Sequence, residues 1–255
     1  MATARHPVRI VLIVLGVLLL LVIGFFVADA VAKRYATDAV RSRIIEVLGL
    51  EPTTPIDVDL GPGSILLQAA RGSIDSVTVN ADTINLGDLS GSARVTATGV
   101  PLDSTKPVST LGIVVTISEA NVAKLATYLS GITVTKIELT EGIIRTTADV
   151  TVLFTTLPVA VDLLPSAHNG AIAFDPKTIR LGTTQLSVDD LRASPLVSSI
   201  AGDILRSREV CVASYLPKAL VVDGVAVVGS QLQISISGDG TALGDPALST
   251  LGTCP

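Results

Sequence analysis

Few residues in this 255-residue chain are equipped for chemistry, and each lacks the partners that chemistry requires. The two histidines are His6 and His168. His6 precedes a long apolar run, which leaves His168, in the turn-like stretch SAHNGA, as the imidazole of the chain's main body. A nucleophilic site built on it needs an activated serine, and the sequence has no G-x-S-x-G elbow. Asp57 and Asp59 form D-x-D, a spacing that holds a metal in some sugar-nucleotide transferases. In an extended strand, residues two apart share a face, so two solvated aspartates give the same pattern. Asp189 and Asp190 precede a helical pattern and suit its N-terminal dipole. GDGTALGDP, residues 238–246, has the glycines of a phosphate or calcium loop. It has neither a P-loop lysine nor EF-hand ligand spacing, and it reads as a turn. No catalytic residue, metal site or cofactor is assigned, and an enzyme is not expected.

Cys211 and Cys254 are the only cysteines. With a single histidine in the main body they do not make a zinc site. In an oxidising compartment they are expected to pair; two buried free thiols are the alternative. A bridge would close a loop of about 44 residues, worth about 4 kcal/mol in the chain-entropy model.

The elements that must position these residues are unusually aliphatic. Nearly half of the chain is hydrophobic (48%), yet aromatics are only 3%, so Val, Leu, Ile and Ala supply the apolar surface. The net charge is −5, with no Lys/Arg run and no tryptophan. Phosphate backbones need clustered cations, so a nucleic-acid partner is excluded.

Residues 10–28, IVLIVLGVLLLLVIGFFVA, carry no charge. As a helix they are about 28 Å long, enough to cross the hydrocarbon core. Arg5 and Arg9 precede them, which places the C-terminal bulk outside the cytoplasm; Lys33 and Arg34, just beyond, oppose that bias. The length favours a single-pass anchor. The small-x-small ADA at residues 28–30 leaves open a long, cleaved signal peptide. Residues 1–30 are therefore assigned to a cytoplasmic N-terminus and anchor or signal peptide. Residues 31–255 form one extracytoplasmic domain, without internal repeats or a linker.

Residues 28–50 continue as an amphipathic helix. One side carries Val31, Ala32, Tyr35, Ala36, Ala39, Val40, Ile44, Val47 and Leu48, the other Asp29, Lys33, Arg34, Asp38 and Arg41. Gly49 suits its C-terminal cap. IDVDL, residues 56–60, alternates as a strand. Residues 64–70 form a short helix ended by Gly72. Residues 73–100 alternate in pieces between Gly87, Gly91 and Gly99, as two or three strands of a meander. Ser118 caps the next helix, closed by Gly131. IIRTTADVTVLF places Ile144, Thr146, Ala148, Val150, Val152 and Phe154 on one face, and LPVAVDLL repeats the habit. Strands follow at 171–174 and 178–181, a helix at 194–207 with Pro195 at its first position, and strands at 219–222 and 231–237. The class is α+β with many antiparallel strands and three or four helices.

The order of these pieces resembles the LmeA-like phospholipid-binding proteins of the actinobacterial cell envelope. An export segment and amphipathic helix are followed by VDLGPGSILLQAARGSIDSVTVNADTINLGDLSG (58–91) and LPKALVVDGVAVVGSQLQISISGDG (216–240). The resemblance implies half of a bactericidal/permeability-increasing, tubular lipid-binding fold. In that fold a long helix is cradled by a strongly curved antiparallel sheet. It also implies phospholipid binding and a role in envelope assembly, such as lipoglycan or mannan elongation, or in lipid transfer. It carries over no catalytic residue.

An acyl chain needs contact area without directed hydrogen bonds, which an aliphatic groove supplies. Its expected lining is Val31, Tyr35, Ala39, Ile44 and Val47 of the first helix, Leu66 and Leu67, and strand residues Val150 and Val152. Arg34, Arg41 or Arg43 would meet an anionic headgroup. The expected partners are a phospholipid or lipid-linked envelope intermediate, the membrane, and an envelope enzyme. The competing reading is a membrane-anchored scaffold that presents its domain to such an enzyme, with the groove filled by side chains.

Overall fold

The computed structural model describes residues 6–48, 53–86, 89–125, 134–152, 154–194 and 205–254. The apolar run and the amphipathic segment form one uninterrupted helix, α1 (His6–Leu48), about 64 Å long. Nothing from the rest of the described chain covers it between residues 15 and 27. Its second half lies along the edge of a sheet. Ala32, Ala36, Val40 and Ile44 recur every four residues, so they stack on one side of the helix and pack there.

The strands are antiparallel and divide between two six-stranded sheets. The first comprises β1 (Ile56–Asp59), β2 (Ser73–Leu86), β3 (Leu89–Pro101), β4 (Thr110–Ser118), β11 (Val221–Val228) and β12 (Gln231–Ser237), in the order β1-β2-β3-β4-β12-β11. The second comprises β5 (Val134–Thr140), β6 (Ile143–Val152), β7 (Thr155–His168), β8 (Ala171–Leu181), β9 (Thr184–Ser187) and β10 (Arg208–Cys211). Its order is β10-β8-β7-β6-β5, with β9 also on β8. The α+β class and the long helix against antiparallel strands are as expected. Neither sheet is closed or strongly curled. After β4 the chain leaves the first sheet, builds the second, and returns to complete the first with β11 and β12.

Among the described residues, three short α-helices join these strands. Helix α2 (Ile65–Arg71) starts at Ser64, whose side chain accepts the Leu67 N–H, and stops at Gly72, which takes φ +80. A left-handed residue there favours glycine, and Gly72 N–H satisfies the last carbonyls. Helix α3 (Glu119–Val122) follows Ser118 directly, although the Ser118 hydroxyl makes no capping bond; the expected close at Gly131 lies outside the described residues. Helix α4 (Val188–Ala193) carries Asp189 and Asp190 in its first turn, where they complement the dipole. The helix expected at 194–207 falls mostly outside the described residues.

The main core lies between the sheets. Ile144, Val161, Leu163, Ile172, Phe174 and Ile179 of the second meet Val115, Ile117, Val222, Val225, Val227, Leu232 and Ile236 of the first. Along β6 the expected face is buried at Ile144, Thr146 and Ala148. Phe154 leaves it: the residue sits in the turn before β7, fully exposed. The two strands expected at 171–181 are one, β8, which carries Pro176 across a bulge in the β7 pairing.

One charged side chain sits deep in the second sheet. Asp162 is 3% exposed and accepts from Arg145 Nε at 2.7 Å and Arg180 Nε at 3.0 Å. The Asp162 carboxylate holds the Arg145 guanidinium above its usual pKa, against the opposing effect of burial. Removing the carboxylate leaves two cations facing each other. Breaking a buried pair costs roughly 3–5 kcal/mol. Both arginines reach water, so Asp162→Ala is expected near the lower end, about 3 kcal/mol. Urea unfolding of the domain measures it, and a loss below about 1 kcal/mol, the range of exposed pairs, would contradict this account.

The expected disulfide is present: Cys211 and Cys254 are bonded, with Cα atoms 5.9 Å apart.

Candidate functional site

The two faces of the first sheet differ sharply, and the register shows why. Cross-strand partners share a face. Asp57, Asn80, Arg94, Val114 and Ser235 form one rung, and Thr116 and Gln233 share the next. Ile56, Ala81, Ala93, Val115 and Ile234 form a rung on the opposite face; so do Val58, Val79, Val95, Ile113 and Ile236. One face is therefore polar and the other aliphatic from edge to edge.

The aliphatic face is covered at its two ends. At the β1 edge, Ile56, Val58, Val77 and Val79 pack with Ala32, Ala36, Val40 and Ile44 of α1. At the other end the second sheet covers Val115, Leu232, Ile236 and Val225. The middle belongs to neither cluster among the described residues. Val95 pairs with Val79 on one side and Ile113 on the other, and together with Ala93 and Ala97 it lies between the two cores. Consistent with this, no residue of β2 or β3 with described burial is fully buried, although both are central strands. The result is an aliphatic strip along β3, flanked by α1 and by the second sheet.

The polar face holds a cleft of about 580 Å³, lined by Asp57, Asn80, Asp82, Arg94, Thr116 and Gln233 among others. Asn80 Oδ1 is buried there without a partner among the described residues. Asp57 thus faces the cleft, on the side of the sheet away from the strip. Asp59 accepts Gly61 N–H at 3.0 Å and serves the turn into α2. The other reactive types have local duties. His168 ends β7 in an exposed hairpin turn with Asn169, at φ 47. Asp239 accepts Leu111 N–H at 2.7 Å, and Asp245 caps a turn through Ala247 N–H at 2.8 Å. No cluster of three metal-ligating side chains occurs among the described residues.

The sequence-based lining residues separate in space. Ile44 packs in the small core under α1. Val31, Tyr35 and Ala39 are exposed on the adjoining side of α1, as is Arg34. Leu66 and Leu67 are exposed on α2, whose Ile65 and Gln68 point inward. Val150 and Val152 belong to the second sheet, at the β6–β7 end, opposite Leu157 and Thr155. The side chains of Val47, Arg43, Val150 and Val152 are not among the described ones. Arg41 donates to Thr54 O at 3.2 Å. Sequence reasoning did not mark Ala93, Val95 and Ala97 as lining. Their alternation was legible, but alternation does not reveal which half of a sheet face stays uncovered.

The chain has been compared with known families. The LmeA-like phospholipid-binding family matches residues 27–237. The chain belongs to this family. The match begins where the apolar run of α1 ends and takes in α2, both sheets and the strip. No curated protein and no solved structure matches the chain. Together with a helix long and apolar enough to cross a membrane, and a disulfide suited to an oxidising compartment, the match makes phospholipid the ligand class to weigh.

Proposed function

We propose that this member of the LmeA-like family holds the acyl chains of a phospholipid on the aliphatic strip of β3. The domain stands at the outer face of the plasma membrane, where envelope lipids are assembled. The observation that supports the reading is the half-buried middle of the aliphatic face: Ala93, Val95 and Ala97 belong to neither core among the described residues, while Val79 on one side packs with the α1 core and Ile113 on the other with the core between the sheets. The part of this half-buried strip that still meets water is unfavourable by about 25 cal/mol per Å², and hydrocarbon removes that cost without needing directed bonds.

The long helix along a sheet edge also supports the half-barrel kinship, with the open strip in the place of the lipid groove. Arg34 lies about 9 Å beyond residue 28 along α1, within reach of the headgroup layer. Arg41, about 20 Å beyond, is engaged with Thr54 and is the weaker headgroup candidate. Support of lipoglycan or mannan assembly, or of lipid transfer, is the role that a membrane-tethered lipid holder would fill.

The test is an organic extract of the purified domain, read by mass spectrometry. Co-purifying phospholipid, or its uptake from liposomes by the delipidated domain, is the expected result. Absence of both, with a stoichiometric protein partner captured instead, would replace this reading with the scaffold one.

A further inference from the structure

Helix α1, long and apolar enough to cross a membrane, is held against the rest of the domain at three levels. Asp29, the first charged residue after the apolar run, accepts from Ser64 Oγ at 2.7 Å and from Leu66 N–H at 3.0 Å. One turn further, Lys33 Nζ donates to Gly61 O at 2.6 Å. Arg41 reaches Thr54 O. As α1 leaves the bilayer, its neighbours are therefore met in reverse chain order. The segment from Thr54 through β1 descends along α1 and delivers α2 to the level of Asp29. That level is one residue from the end of the uncharged span.

What α2 presents there is apolar. Ile65 and Gln68 are buried, whereas Leu66 is 36% and Leu67 56% exposed. The next loop lies alongside: Leu102 N–H donates to Gly72 O at 3.0 Å, and the Leu102 side chain is 58% exposed. That loop is stitched to the following one by Gly244 N–H to Ser104 O at 2.8 Å, and there Leu243 is also exposed. Leucines on α2 and on two loops thus line one edge. On α2 and the Leu102 loop the ionic groups balance locally, while the Leu243 loop carries Asp239 and Asp245, each accepting a backbone N–H. Arg71 pairs with Asp75 at 3.3 Å, and Asp103 stands beside Lys106. Around Leu66, Leu67 and Leu102 there is thus no net charge with which to select an acidic or basic protein.

We propose that this edge, centred on Leu66, Leu67 and Leu102, is a membrane-docking foot that seats on the outer leaflet of the bilayer through which α1 passes. The occupant follows from continuity: the bilayer that receives residues 10–28 ends at the level where Asp29 pins α2. Short apolar side chains at that height enter the boundary between headgroups and acyl chains, typically 5–10 Å deep. The foot sets the strands of the first sheet upright, so that β3 runs away from the membrane from its end at Pro101. The proposal stands whether or not the strip carries lipid.

The experiment uses the full chain reconstituted in protein-free phosphatidylcholine vesicles. Because both native cysteines are bonded to each other, a single introduced cysteine is the free thiol for labelling. Leu67→Cys and Leu102→Cys carry an environment-sensitive fluorophore, as does Thr53→Cys. Thr53 is exposed beside Thr54, about 18 Å further along α1 than Asp29. All three sites are exposed, so labelling leaves the core intact. The expected result is a blue shift at 67 and 102, with quenching by shallow spin-labelled lipid severalfold stronger than at 53. Equal shifts and quenching at all three sites would overturn the proposal, and so would a response at 67 and 102 that needs an added protein. Lipid content of the strip, measured by extraction from the same samples, reports separately on the lipid-holding reading.

Discussion

Replacing Val95 with tryptophan is expected to empty the domain of phospholipid while leaving it folded. Val95 is half-buried at the seam between the two cores, paired with Val79 and Ile113, and among the described residues it belongs to neither. An indole there lies over the strip and takes the space of acyl methylenes. Each methylene kept from water contributes about 0.8 kcal/mol. Displacing two of them already removes about 1.6 kcal/mol, more than a tenfold loss of affinity. The control is Val114→Trp. Val114 lies one strand away, opposite Arg94, on the polar face. It is expected to retain lipid. Mass spectrometry of both purified variants, beside their melting curves, decides the matter: equal lipid content in the two would rule out the strip as the binding surface.

The contrast between Val95 and Val114 also shows how far the sequence could lead. Alternation exposed the aliphatic and polar faces of β2 and β12, and the Ser64 and Gly72 caps delimited α2 nearly to the residue. Other elements were hidden by their own composition. β4, TLGIVVTIS, is close to a continuous apolar run, and such a run has no period to read. β5 interleaves Lys136 and Glu138 with Ile137 and Leu139 and was passed over with it. Gly91 and Gly99 looked like breaks but lie inside β3, Gly99 at φ 57 facing Ser109 and Gly91 within 3 Å of the Thr116 carbonyl if a Cβ were added. Pro176 looked like a boundary and lies in β8.

The candidate site failed to appear for a different reason. On α1 the whole apolar side was legible, but its share-out was not. The row Ala32, Ala36, Val40, Ile44 packs, while the neighbouring row Val31, Tyr35, Ala39 stays exposed. Small residues at the contact row let helix and strand approach closely, so alanines rather than the larger Tyr35 mark the interface. Among the described residues the strip lies between two separate elements that each cover one end of a sheet face, and that is a property of long-range topology. By contrast, Asp59, Asp239 and Asp245 serve turns and His168 lies in an exposed hairpin, while Asp57 lines the cleft on the polar face.

Breaking the disulfide is expected to cost more stability than any single surface change, and the reason is where it lies. Cys211 ends β10, an edge strand of the second sheet held by four register pairs to β8. Cys254 belongs to the C-terminal segment, which runs back along the chain before β11: Leu251 bridges Pro217, Gly252 N–H donates to Leu216 O, and Lys218 N–H donates to Thr250 O. The bond therefore ties the edge of the second sheet to the approach to the first. Without it a loop of about 44 residues opens in the unfolded ensemble, and the chain-entropy model assigns about 4 kcal/mol to that freedom. For a domain of this size each kcal/mol moves the melting temperature by about 2–4 °C. Cys211→Ser with Cys254→Ser, or reduction of the native domain, is thus expected to lower Tm by about 8–16 °C. The same double variant made in an oxidising and in a reducing compartment is expected to melt identically, whereas the native chain is expected to lose stability only in the second. A native domain that melts at one temperature in both would show that the bond neither forms nor matters there, and with it would go the oxidising compartment inferred for the domain.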